Sequence, residues 1–437
     1  MTDQALYAAA VIILPEHSLN TAVFAEFSQE LLARFRRPFQ GSVAHWLSIY
    51  KRKSVRNTVK TLNEVLILIA KFIFDDWPTE YPRSQVTLQR FCLVSRQWYS
   101  VGIEFLYYRP QLGGGNSFSL FTNTVCPPIR SRKRNVDLGS LVHDLDLSVL
   151  VHHSSNSLTA RLLGRVKKNL KSFAAPRISF SINSLAPLAK CKELSYLYLG
   201  LVAEPIPFDA LKKAITSLDK LEILELSPSM FITDDGSSED WPSSLKYLRV
   251  GGRFDVEKMS SFRWPPNLVG LTFRGCEDLN TSVVEEILMN EQLRTTLTEL
   301  TFHRLNRKMF EDGPSEILSA LIALKYLRIP VDLLDDLCIL PSFYQAPPMS
   351  IRELELTAPY DENFSTEIDT DGLCEVLKTN LSRACYLGIS PACLNIIPET
   401  SHAKIDKWVW KNIDKCPEEE LDSLFDMGLN VMDQEPL

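Results

Sequence analysis

The chain has 437 residues, 45% of them hydrophobic and 23% charged, and a formal net charge of −7. That balance is globular rather than disordered, and the negative charge argues against the whole chain binding nucleic acid or another polyanion. The length suits roughly two or three folding units unless a repeat array absorbs much of it.

The nine cysteines (Cys92, Cys126, Cys191, Cys276, Cys338, Cys374, Cys385, Cys393 and Cys416) are odd in number, and none stands in a CxxC pair. They read as reduced thiols, mostly in the core, of a cytoplasmic or nuclear protein, not as a disulfide framework or zinc site. No apolar run is long enough to span a bilayer, so no membrane partner is expected. Ala5 to Leu14 has the length of a signal core, but Asp3 precedes it and no basic segment does, so no secretory signal is expected.

Residues 1–60 read as an N-terminal extension with one helical stretch, Phe24 to Phe35. The basic run Lys51 to Arg56 reads as a solvated helix end, with nuclear import as the sharper alternative. From Leu62 to Pro110 the pattern strengthens. Val65, Leu66, Ile69, Phe72 and Ile73 make the apolar stripe of an amphipathic helix over Glu64 to Phe74. Leu88, Phe91, Leu93, Val94, Trp98, Val101, Phe105 and Leu106 then predict one or two further helices over Thr87 to Tyr108. So short a segment cannot bury all these groups by itself, and something else must cover the remainder.

The order Glu64-Val65-Leu66, then Leu93-Val94-Ser95-Arg96-Gln97-Trp98, then Phe105-Leu106-Tyr107 resembles an F-box in the variant common in fungal proteins. One departure stands out: Leu62 lies two residues before Glu64, where the family pattern has a proline. The resemblance implies an F-box over residues 61–112 that binds a Skp-type adaptor. Leu62, Val65, Leu66, Ile69, Leu93, Val94 and Trp98 would form or support that interface, and the sequence does not sort which of them fill the F-box's own core. Without the resemblance, the same residues read as a helical cap on the domain C-terminal to them.

Gly113-Gly114-Gly115-Asn116 breaks the helical pattern and opens an expected linker over 113–140, with a basic loop at Arg130 to Arg134. No Lys-Ser/Thr comes after the glycines, so they are not a phosphate loop. An apolar-x-x-apolar-x-apolar unit then recurs ten times, starting at Val142, Leu170, Leu194, Leu221, Leu245, Leu268, Leu297, Leu324, Ile351 and Ala384. Subtracting successive starts gives spacings of 23 to 33 residues, mostly inside the leucine-rich-repeat window. Each unit fits a short strand with inward apolar side chains. Phe208 to Ser217, Val283 to Met289 and Glu316 to Ile322 fit outer helices, whereas Trp241-Pro242 and Trp264-Pro265-Pro266 fit loops entering strands without a helix. The Asn found after the strand in strict repeats is mostly missing, so the array is irregular.

The expected fold is therefore α/β: a helical F-box, then an irregular leucine-rich-repeat solenoid over 141–395, then a helical cap and tail over 396–437. Helical spacings of Ile405, Trp408, Val409, Ile413, Leu421, Leu424 and Phe425 support the cap.

Nothing in the sequence forms a catalyst. There is no GxSxG elbow, Walker loop or HExxH, and His152-His153 lacks a second ligand pair, so no catalytic, cofactor or metal residues are expected. Acidic groups at Asp234, Asp235, Glu239 and Asp240 fall in a Gly/Ser-rich loop and read as solvated. The F-box/leucine-rich-repeat resemblance implies a non-catalytic substrate receptor of a cullin-type ubiquitin ligase, joined to the cullin through the adaptor. An adaptor-bound or free scaffold acting outside a ligase is the alternative. A target protein would meet exposed strand positions: Tyr196, Tyr198, Glu222, Glu225, Lys246, Arg249, Arg274, Glu299, Arg328 and Glu355.

Overall fold

The structure, a computed structural model, describes residues 55–75, 81–113, 115–127, 137–150, 156–233, 240–255, 257, 262–276, 279–303, 306, 317–334, 348–359, 369–393, 397, 399–417 and 427–432. Most of the N-terminal extension, the basic loop after Pro127, His152-His153 and the 234–239 loop lie outside them, as do Leu421, Leu424 and Phe425. The chain divides into two compact units, Met1–Asp146 and Leu147–Leu437.

The first unit contains α1 (Val55–Asp75), α2 (Tyr81–Val94), α3 (Arg96–Tyr108), α4 (Gly115–Val125) and a short strand, β1 (Asp144–Asp146). Ser95 alone separates α2 from α3. Its extended backbone starts a new helix, and its hydroxyl accepts the Trp98 N–H at 3.3 Å, satisfying a donor that the helix end leaves open. The core joins Leu66, Ile69, Ala70 and Ile73 of α1 to Leu88 and Phe91 of α2 and Trp98 of α3. Phe91 and Trp98 pack with ring centroids 4.5 Å apart. A Cβ on Gly102 would stand 2.6 Å from the Phe91 ring, so only glycine permits α2 and α3 to come this close. Residues 115–125, part of the stretch expected as a linker, are instead helical. Phe118, Phe121 and Val125 form a buried stripe at three- and four-residue steps, and that outweighs the glycines before it.

In the second unit the repeat dominates. Strands β2 (Ser172–Ala174), β3 (Tyr196–Tyr198) and β4 (Ile223–Glu225) are followed by the short β5 (Phe231–Ile232), then β6 (Tyr247–Val250) and the short β7 (Arg253–Phe254). Next come β8 (Gly270–Phe273), β9 (Glu299–Phe302), β10 (Tyr326–Pro330), β11 (Glu353–Thr357), β12 (Tyr386–Ile389) and β13 (Gly428–Val431). Apart from β5 and β7, which pair with each other, these strands form one parallel sheet in chain order. The register aligns the middle apolar residue of nine repeats, Phe173, Leu197, Leu224, Leu248, Leu271, Leu300, Leu327, Leu354 and Leu387, in one buried row. Helices α5 (Asn156–Val166), α6 (Ile182–Leu188), α7 (Phe208–Ile215), α8 (Thr281–Leu288), α9 (Glu291–Thr296), α10 (Ile317–Ala320), α11 (Thr370–Lys378) and α12 (Glu399–Ile413) lie between or after strands. Before β6 and β8 the chain enters the strand from a proline-bearing loop, and there buried Trp241 and Phe262 pack on Phe208, with Trp264 on Phe262.

The position after the strand is polar in its own way in several repeats. Asn306 is buried; its amide donates to the Phe273 and His303 carbonyls at 2.6 and 2.8 Å, and its oxygen accepts the Cys276 N–H at 3.0 Å. Ser227 donates to the Val202 carbonyl at 2.6 Å. Cys276 and Cys393 donate through their thiols to Val250 and Thr357 carbonyls. Burial pushes the Cys92, Cys191 and Cys276 thiols up to about 12, so they stay protonated.

The C-terminal segment corrects one expectation. Residues 396–437 were expected as a helical cap and tail, but Gly428–Val431 is a strand that pairs in parallel with β12. The open sheet edge offers backbone partners that outweigh local helical spacing, and Gly428, at φ +87°, takes a conformation favoured by glycine.

Candidate functional site

Side chains alternate along each strand, so one face of the sheet carries the residues flanking each buried middle leucine. The register sorts them into rows. The first row reads Tyr196, Ile223, Tyr247, Gly270, Glu299, Tyr326, Glu353, Tyr386. The second reads Tyr198, Glu225, Arg249, Thr272, Thr301, Arg328, Glu355, Gly388. Near the middle of the face, small residues (Gly270, Thr272 and Thr301) leave a depression of about 410 Å³. Tyr247, Arg249, Arg274, Glu299, His303, Tyr326 and Arg328 stand around it.

The two rows differ electrostatically. In the second, every cation has a carboxylate. Glu225, only 3% exposed at its side chain, meets Arg249 at 3.0 Å and Arg274 at 3.3 Å, and Arg328 meets Glu355 at 3.3 Å. In the first row, Tyr247 leans across Gly270, where a Cβ would lie 2.5 Å from its ring, and its hydroxyl donates to Glu299 at 3.2 Å. The Tyr326 hydroxyl donates to Glu355 at 2.7 Å. Among the described residues no basic side chain pairs with Glu299 or Glu353.

Burial raises the Glu299 carboxyl above its ordinary value, against the hydrogen bond from Tyr247. Burial also raises Glu353, with the charges of Glu355 and Glu299 adding to it. A carboxyl raised in the folded chain holds its proton more tightly there than in the unfolded chain. Stability therefore falls as pH rises from the ordinary carboxylate value through the raised one, and stays lower above it. Glu353→Gln is expected to raise Tm at neutral pH and to leave it nearly unchanged in acid below the carboxylate range. Thermal melts at the two pH values check this, and an equal shift at both would rule out an electrostatic origin.

Of the predicted target-facing residues, Arg249, Arg274, Glu299 and Arg328 come together around the depression, with Tyr196, Tyr198 and Glu355 in the same two rows. Glu222 and Lys246 do not: they lie outside the strands and pair with each other at 3.3 Å. Glu225 was expected to be exposed and is buried, because two guanidiniums close over it. Tyr247, Tyr326, Glu353 and Tyr386 were missed. The position just before each middle apolar residue marks all four, the same position that Tyr196 and Glu299 occupy.

The helical unit also sorts its predicted residues. Leu66, Ile69 and Trp98 are buried in its core, so their side chains are not available to a partner. Val65 and Val94 are half-buried against that core, Leu93 is 58% exposed, and the Leu62 side chain lies outside the described residues. Ile67 and Tyr99, not predicted, are exposed as well. Among the described residues no group of His, Cys, Asp and Glu is placed to hold a metal, and no helix is long and apolar enough to cross a membrane.

No family model matches the chain. An F-box protein of Saccharomyces cerevisiae is 31% identical over 248 residues, 57% of this chain and 50% of that protein. The protein pof5 of Schizosaccharomyces pombe is 29% identical over 201 residues, 46% of this chain and 54% of that protein. The chain spans about half the length of the curated relatives it matches. Among solved structures, an internalin C2 of Listeria monocytogenes aligns at TM-score 0.33 and 14% identity over 58% of this chain and 96% of that one. A second internalin from the same organism aligns at 0.29 and 11% identity over 75% and 97%. Both scores are low, and the fold rests on the strand order and register described above. By sequence, the chain is similar over about half its length to two yeast proteins, one of them named as an F-box protein.

Proposed function

We propose that this chain is a substrate-recognition subunit of a Skp–cullin–F-box ubiquitin ligase, in which the helical unit binds the adaptor and the repeat face holds a target protein. The observation that carries the reading is the Leu93-Val94-Ser95-Arg96-Gln97-Trp98 signature at the α2–α3 junction of a chain related to F-box proteins. Leu66, Ile69 and Trp98 support the adaptor surface from within, and Leu93 and Ile67 present apolar groups to it. The receptor performs no chemistry on this reading. It raises the effective concentration of a target lysine near a conjugating enzyme held elsewhere in the assembly.

The test is co-purification with a Skp-type adaptor. Wild type is expected to bind stoichiometrically, and Leu93→Glu to lose about tenfold or more in affinity without unfolding, since a charge at an apolar interface goes unpaired there. Wild type that captures no adaptor would sink the ligase reading. If the adaptor binds but captured proteins keep the same half-life with and without this chain, the scaffold alternative holds instead.

A further inference from the structure

The sheet face carries one imbalance: the second row neutralises its own charges, and the first does not. Arg249, Arg274 and Arg328 already hold carboxylates, so they are poor bait for a new anion. Glu299 and Glu353 stand on either side of Tyr326 and form no ion pair among the described residues, and Tyr247 and Tyr386 complete the row. The depression opens directly on Tyr247, Glu299 and Tyr326, with Gly270 as floor.

We propose that the Tyr247–Glu299–Tyr326–Glu353 row is the docking site for a basic, extended segment of the target protein, with lysine or arginine side chains seated between tyrosine faces and against the two carboxylates. Cations are attracted to tyrosine faces as well as to carboxylates, and both surfaces alternate along this row. The raised carboxyls fit an uncompensated pair that a cation would relieve. The geometry also sets a register. Glu299 on β9 and Glu353 on β11 are separated by two strand spacings, ~10 Å, and an extended peptide in the polyproline II form advances ~3.1 Å per residue and returns to the same face every ~3 residues. Two basic residues three positions apart therefore match the two carboxylates.

The inference deepens the reading of the repeat face as the target-holding surface, and the two can fail separately. Adaptor capture tests the helical unit, and peptide binding tests the sheet. The probe is a fluorescently labelled peptide with two lysines separated by two alanines, set beside versions carrying glutamine or phosphoserine in place of lysine. Binding is measured by anisotropy on the full chain. The lysine peptide is expected to bind best and to weaken as salt rises. Glu299→Gln with Glu353→Gln should lower its affinity about tenfold or more, while Asp371→Asn, at an exposed carboxylate on α11, leaves it unchanged. The double variant should melt no lower than wild type, separating lost binding from lost folding. Preference for the phosphoserine peptide would overturn the proposal and assign the site to the arginines. Undiminished lysine-peptide binding in the double variant, or no binding of the lysine peptide at all, would also overturn it.

Discussion

Trp98→Ala is expected to unfold the helical unit while the repeat array stays folded. The side chain is 5% exposed, packs on Phe91 at 4.5 Å and closes a core fed by three helices. Deleting a buried indole forfeits its transfer free energy and leaves a cavity, about 3–5 kcal/mol together. A single small domain has only about 5–15 kcal/mol to lose, and a small helical unit sits near the lower end of that range. The second unit has its own core of aligned leucines and does not draw on Trp98. Hydrogen exchange read by mass spectrometry should lose protection over residues 63–108 and keep it in the strands. Adaptor binding should vanish together with that protection. Leu93→Glu provides the contrast, because exchange stays intact while binding falls. Retained protection in the Trp98 variant would remove this residue from the core.

The second large effect is expected in the array. Asn306→Ala leaves the buried Cys276 N–H without its acceptor and takes one of two bonds from each of the Phe273 and His303 carbonyls, which keep the His303 and Asn306 backbone N–H groups. A buried polar group left unsatisfied costs about 1–3 kcal/mol, and a loss in that range is expected. In a stacked array each repeat is stabilised mainly by its neighbours, so the loss should focus on the β8–β9 step. Asn306→Asp keeps the acceptor but not the donor and should recover only part of the loss. Denaturant melts of the three proteins test the ranking, and an Ala variant within about 0.5 kcal/mol of wild type would mean the amide is dispensable.

These two residues also mark how legible the chain was. The helical unit could be anticipated because Leu-Val-Ser-Arg-x-Trp carries both a helix stop and a helix start. Ser95 caps, and Trp98 buries, in a pattern that needs no distant partner. Asn306 could not be anticipated. It stands four residues after Phe302, off the strict repeat spacing, and its value comes from backbone groups as far away as Phe273. The strand at Gly428–Val431 was illegible for the same reason, since its stability comes from the edge of β12 and not from its own residues. Leu66 and Leu93 both read as apolar F-box residues, yet one is fully buried and the other 58% exposed.

By itself, the sequence determined the period of the array and which of its residues point inward, because these depend on the spacing of apolar side chains along a chain of fixed geometry. Tertiary structure alone decided which exposed residues meet. Parallel register brought Glu299, Tyr326 and Glu353 side by side from three repeats, and placed Glu225 beneath two arginines that lie 24 and 49 residues away. Charges on separate repeats have no fixed relation in sequence. They acquire one only when strand pairing sets neighbouring strands ~5 Å apart.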